Sequence, residues 1–156
     1  LSQGDKQIPE GIYKLVGFNP NSSYHLSIKV DYPNAFDKKM AEKEGRNNLG
    51  GDIFIHGKAM SVGCIAVGDA AIEELFLLVN QVGLKNTELI ISPTEVRGLD
   101  ELTMFDRSSW YNDLYYAIGK RLWHFELQKK PQPKIQQLRK EHRKKHQRFK
   151  NEQAKI

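Results

Sequence analysis

The residues whose types and spacing suit chemistry lie between Asp52 and Asp69, in the run Asp-Ile-Phe-Ile-His-Gly-Lys-Ala-Met-Ser-Val-Gly-Cys-Ile-Ala-Val-Gly-Asp. A histidine, His56, stands eight positions before the single cysteine of the chain, Cys64. A cysteine attacks as its thiolate, and a neighbouring imidazole is the commonest means of generating one near neutral pH. Gly57 permits an abrupt turn after His56, and Gly63 lets a backbone approach a substrate with no side chain in the way. The amides of Gly63 and Cys64 are then candidate oxyanion donors, worth about 3 kcal/mol each where such donors have been removed. Ser61 is placed to hydrogen-bond within the loop or to orient the base. Plainer readings stand beside these. A lone cysteine is usually a small buried hydrophobe, and a histidine at a strand end is often structural. Two ligands without a third in register are weak grounds for a metal.

The elements that must carry these residues are short. Residues 11–16 and 24–30 read as strands, separated by the turn formers Asn19-Pro20-Asn21-Ser22-Ser23. A helix is expected over 33–44, stopped by Gly45, and a brief strand over 52–56 delivers His56. The next helix spans 70–82, with Asp69 as its N-cap and Ile72, Leu75, Phe76, Val79 and Val82 on its buried face. A strand over 87–92 follows. A second amphipathic helix spans 109–125, with the stripe Trp110, Leu114, Ile118, Leu122 and Phe125. Its aromatic residues Trp110, Tyr111, Tyr115, Tyr116 and Trp123 fit packing better than a sugar platform. Tyr13 and Tyr24 are candidates for lining a substrate cleft, although packing of the sheet is the simpler role. His25 in an alternating strand reads as structural. His124, His142 and His146 form no convincing metal set. The fold class expected is α+β, a small sheet early and helices later.

With 156 residues and 39% apolar content the chain suffices for one domain with a real core. No apolar run approaches the roughly 20 residues that cross a bilayer. The start, Leu1-Ser2-Gln3-Gly4-Asp5, reads like the interior of a longer protein, with an export signal and a first strand expected upstream. A single cysteine allows no internal disulfide. The net charge of +5 is uneven. Residues 129–156 hold eleven Lys or Arg against Glu141 and Glu152, a net of +9, whereas residues 1–128 hold thirteen basic against seventeen acidic, a net of −4. A catalytic domain over 1–128 and a basic helical tail over 129–156, beyond Pro131-Gln132-Pro133, are therefore expected. Such a tail is usually a solvated face; anionic membrane, wall polymer or nucleic acid are the partners its charge would suit.

Ile55-His56-Gly57 followed by Ser61-Val62-Gly63-Cys64-Ile65 resembles the active-site signature of the L,D-transpeptidase (YkuD) family. Upstream, Gln3-Gly4-Asp5-Lys6-Gln7-Ile8-Pro9-Glu10-Gly11-Ile12-Tyr13 is similar to that family's glycine, Thr-Pro-x-Gly and aromatic stretch, with Ile8 in place of the threonine. The resemblance spans about residues 3–92. It implies a β-rich catalytic domain and a cysteine acyl-enzyme with no metal or organic cofactor. It also implies attack on the diaminopimelate carbonyl of peptidoglycan stem peptides in the periplasm. Carried over by position, Cys64 is the nucleophile and His56 the base. Gly63 and Cys64 supply oxyanion amides, and Ser61 supports the loop. Val62 stands where the common signature has a second histidine, and the His–Cys spacing is short. Both features resemble the branch containing hydrolases, namely L,D-carboxypeptidases and the amidase that detaches Braun lipoprotein. Transfer and hydrolysis share the acyl-enzyme and differ in who attacks it.

Overall fold

A computed structural model describes residues 1–96, 109–123 and 125, and its first compact unit is Leu1–Leu122. The basic tail at 129–156, with His124, His142 and His146, lies outside the described residues. Alternating polar and apolar residues make a long hairpin from β1 (Gly11–Ser22) and β2 (His25–Val30). β1 runs six residues further than expected, because Phe18 and Asn19 continue the ladder opposite Ile28 and Ser27. A register shift between Leu15 and Gly17 lets Leu15 face Val30 and Phe18 face Ile28, so the apolar side stays continuous through the irregularity.

Three short strands complete one mixed sheet in the order β4-β3-β2-β1-β5. β3 (Phe54–His56) is antiparallel to β2, and β5 (Glu88–Ile91) is antiparallel to β1. β4 (Ile65–Ala66) is parallel to β3 and was not expected, since two residues leave no alternation to read. The α+β class is as expected.

The helices cover the sheet from different sides. α1 (Ala35–Lys43) begins at Asn34, whose side chain accepts from the amides of Phe36 and Asp37. Asp37 returns a bond to the Asn34 amide, which closes a capping box. α2 (Asp69–Val82) buries Ile72 and Val79 in a cluster with Ile28, Val30 and Ile55, and Leu75 and Phe76 pack against it. Asp69 is not the N-cap of this helix. Gly68 holds that position without a side-chain bond, and Asp69 opens the first turn with its carboxylate turned to the Lys58 amide. Val82 is exposed, so the buried stripe ends a turn earlier than the sequence suggests. Because Ile72 is fully buried, Ile72→Ala is expected to lower stability by about 3 kcal/mol, read as a shifted midpoint in urea denaturation.

α3 (Ser109–Leu122) lies over the opposite side of β1 and β5. Leu114, Tyr115 and Ile118 form a second buried cluster with Val96, against which Ile12 and Ile90 pack, while Tyr13, Leu89 and Ile91 turn into the first cluster. Tyr115 belongs to this core although the expected stripe omitted it, and Phe125 lies beyond the helix end. Trp110 and Tyr111 stack with ring centroids 3.7 Å apart. Among the described residues no helix is long and apolar enough to cross a membrane.

Candidate active site

β3 presents His56 on the side of the sheet opposite Ile55 and the α2 cluster. The neighbouring β2 residue on that side is Ser27, which pairs with His56 in register and is likewise buried. β4 brings the cysteine loop back in parallel, with Ile65 beside Ile55 and Ala66 beside His56. Cys64 directly precedes this two-residue strand. The loop that carries Cys64 is thereby returned alongside the strand that carries His56.

His56 is 3% exposed and tightly held. Its Nδ1 lies 2.6 Å from the carbonyl oxygen of Gly57. A carbonyl can only accept, so Nδ1 carries a proton, and in the neutral ring the lone pair sits on Nε2. The ring of Tyr24 tilts against the imidazole with centroids 4.6 Å apart, and the ammonium of Lys58 lies 5.9 Å from the Tyr24 ring centre. Tyr24 is thus at the site, half exposed beside the histidine. Tyr13 is not: it is 1% exposed in the core, and its hydroxyl donates to Glu10 O and Asp37 Oδ1. The cleft-lining role considered for Tyr13 gives way to packing, because its ring turns to the buried side of β1.

Gly57 is required by close approach. A Cβ there would lie 2.7 Å from the Tyr24 carbonyl oxygen and 2.6 Å from Asp69 Oδ1. The loop after it is pinned from two directions, since the Lys58 amide donates to Asp69 Oδ1 and its ammonium donates to Ser23 O. Gly63 adopts φ +101°, a backbone that L side chains rarely enter. Ser61 Oγ donates to Cys64 O at 2.7 Å, so the serine braces the loop and does not touch the imidazole by any bond seen. Ser61→Ala should remove about 1 kcal/mol of loop order. The expected reading is a several-fold fall in kcat/KM with an unchanged urea midpoint, because Ser61 is exposed.

The Cys64 thiol is half-buried and donates to the carbonyl oxygen of Asp52 at 3.6 Å. Asp52 was expected only to open a strand. Its carboxylate holds Lys29, whose Nζ lies 2.8 Å from Oδ1 and 5.7 Å from the centre of the Phe54 ring. Asp52, Lys58 and Lys6 all take positive φ, near 55–60°. For side-chain-bearing residues that conformation costs on the order of 1 kcal/mol each, and such strain gathers at functional sites. Lys6 backs Gly63, with its Cα 3.7 Å from where a Cβ on that glycine would sit. Beside these residues lies a cavity of about 340 Å³, bounded by Leu1–Gln7 on one side and by Gly50–Ile53, Val62 and Gly63 on the other. His25 is apart from it, with Nε2 2.7 Å from Glu73 Oε1. Among the described residues no three His, Cys, Asp or Glu side chains gather as metal ligands.

Residues 2–95 match the model of the YkuD family, the L,D-transpeptidase catalytic domain. YafK of Escherichia coli K12, provisionally named an L,D-transpeptidase, is 29% identical over 134 residues, which cover 83% of this chain and 51% of YafK. The YafK of strain O157:H7 matches equally. The chain thus spans about half the length of the curated relatives it matches. Among solved structures, the helical cell shape determining protein Pgp2 of Campylobacter jejuni aligns at 29% identity and TM-score 0.40, over 49% of this chain and 29% of Pgp2. Bd1075 of Bdellovibrio bacteriovorus aligns at 22% identity and TM-score 0.42, over 75% of this chain and 41% of its own. On the family match, with 94 consecutive residues that include both His56 and Cys64, the chain belongs to the YkuD family of L,D-transpeptidase catalytic domains.

Proposed function

We propose that the protein is a cysteine acyltransferase acting on peptidoglycan stem peptides in the periplasm, with Cys64 as nucleophile and His56 as its base. The observation that carries this reading is the Nδ1–H of His56 held by Gly57 O, on the strand beside which β4 returns the Cys64 loop. With Nδ1–H committed to Gly57 O, the lone pair on Nε2 is the site that takes a proton. In the resting state the thiol proton points to Asp52 O. Transfer of that proton to Nε2 yields the thiolate, which attacks the carbonyl of the third stem residue. The tetrahedral oxyanion is then met by the amides of Gly63 and Cys64. Collapse breaks the C–N bond, and the departing amine takes the proton from His56, leaving a thioester on Cys64. An amine or water, deprotonated by His56, attacks the thioester and restores the thiol.

An amine acceptor gives a transpeptidase; water gives an L,D-carboxypeptidase or an amidase that releases bound lipoprotein. Val62 supports keeping water in view. It is 75% exposed at the mouth of the site, where the common signature carries a second histidine. The test is mass spectrometry of muropeptides and lipoprotein-linked sacculi after incubation with the protein, beside a Cys64→Ala control. New crosslinks or exchanged terminal residues absent from the control would establish transfer. Loss of a terminal residue, or lipoprotein release without a new crosslink, would establish hydrolysis. The same products from the control would remove Cys64 from the reaction.

A further inference from the structure

The turn between β1 and β2 carries a side chain that neither the turn nor the core accounts for. Ser22 pairs with His25, so Ser23 and Tyr24 form a two-residue hairpin loop. Such loops favour Asn, Asp and Gly, which suit the tight backbone. Tyr24 is instead a large ring, 45% exposed and outside both buried clusters. A residue that departs from its local rule in this way points to a functional constraint. The ring meets the base of the proposed reaction, tilting at 42° against the His56 imidazole with centroids 4.6 Å apart.

Several ties hold this turn against the strand end that carries His56. The Lys58 ammonium donates to Ser23 O at 2.6 Å and lies 5.9 Å from the centre of the Tyr24 ring. The Tyr24 amide donates to Ser22 Oγ at 3.1 Å. His25, at φ +74°, places Nε2 2.7 Å from Glu73 Oε1 on α2. The Tyr24 carbonyl oxygen and the His25 Cβ close on Gly57, where a methyl would lie 2.7 and 3.0 Å from them.

The imidazole gains from such a neighbour. The bond from Nδ1 to Gly57 O fixes one edge of the ring. The Cβ–Cγ torsion of a histidine is broad, so a bond at one edge leaves the ring able to swing. A flat side chain packed on the imidazole narrows that torsion, and His56 is 3% exposed beneath its cover. Tyrosine supplies the cover at low entropic cost, with two side-chain torsions to fix.

We infer that Tyr24 is a positioning residue for His56: its ring, held by the β1–β2 turn, keeps the imidazole oriented with Nδ1–H on Gly57 O. What this does for turnover rests on the proposed acyl transfer; the orientation of the ring does not. The flat face is the working part, so phenylalanine can replace tyrosine and an aliphatic side chain cannot.

Two measurements on the full chain test this separately. The first is a long-range proton–nitrogen NMR spectrum of the neutral histidine rings, with the His56 signals identified by their loss in His56→Gln. In the parent protein and in Tyr24→Phe the two His56 ring nitrogens should keep widely separated shifts, as one tautomer requires. In Tyr24→Ala and Tyr24→Leu the shifts should draw together as the tautomers exchange. Unchanged shifts in both aliphatic variants overturn the inference. The second measurement is steady-state kinetics on a stem tetrapeptide beside urea unfolding. Tyr24→Ala should lower kcat about tenfold beyond what the fraction unfolded explains, with KM little changed, and Tyr24→Phe should recover most of the loss. A raised KM in both Tyr24→Ala and Tyr24→Phe, with kcat retained, would make Tyr24 a substrate contact and overturn the positioning role. If the parent protein turns over no peptide while the ring nitrogens respond as expected, the acyl-transfer reading fails and the hold of Tyr24 on His56 stands.

Discussion

Cys64→Ala is expected to abolish turnover of stem peptides, by about 10³-fold or more, while leaving the urea midpoint unchanged. The two halves of that expectation have separate causes. The thiol belongs to neither buried cluster, and its contact is a long bond to the carbonyl oxygen of Asp52. Removing it opens no core cavity. Without it, however, no atom in the loop can form the thioester, and the amides of Gly63 and Cys64 have no acyl-enzyme to serve. Cys64→Ser should be nearly as inactive, since a hydroxyl is far harder to deprotonate with one imidazole. Circular dichroism and a urea titration beside the activity assay separate loss of chemistry from loss of fold. An active alanine variant would remove Cys64 from the mechanism.

Gly57→Ala is expected to be the most damaging single-methyl change near the site, because it strikes stability and activity together. Its Cβ would approach the Tyr24 carbonyl oxygen to 2.7 Å, and that oxygen is backbone at the β1–β2 turn. Asp69 Oδ1, at 2.6 Å, is tied to the Lys58 amide and has little freedom to retreat. Relief requires moving the chain after His56, and with it the Gly57 carbonyl that fixes the imidazole. Overpacking of this kind costs on the order of 1–3 kcal/mol. The displaced tautomer bond should lower kcat/KM by about 10²-fold beyond what the fraction unfolded explains. Urea unfolding and steady-state kinetics on the same preparation check both. A variant with wild-type kinetics would mean that the Gly57 bond does not position the base.

The candidate site could be named from the sequence because it depends on residue type. A histidine before a glycine, and a glycine before a cysteine, can be read without coordinates, and the structure puts both pairs at one sheet edge. The hairpin and α2 were legible from alternation and helical spacing, which their partly buried faces impose. What was not legible depends on the partner strand. β4 is two residues long and exists through pairing with β3, so nothing local announces it. Asp52 contributes its carbonyl oxygen, which any residue carries, so its place beside the thiol has no signature in the sequence. The exchange of Asp69 from cap to loop anchor has the same origin: a carboxylate near a helix start is drawn to whichever amide is unpaired, here that of Lys58. A cavity of about 160 Å³ lined by residues from Leu1 to Leu114 joins positions far apart in the chain, and spacing alone could not have assembled it.

The central claim is that an acyl group rests on Cys64, and intact-protein mass spectrometry tests it most directly. The protein is mixed with a stem tetrapeptide, quenched in acid within the first turnovers, and its mass recorded. The account predicts an added mass equal to the acyl tripeptide. The adduct should map to the peptide containing Cys64, be removed by hydroxylamine as a thioester, and be absent from Cys64→Ala. Turnover of the peptide with no adduct on Cys64, or with an unchanged rate in the alanine variant, would contradict it.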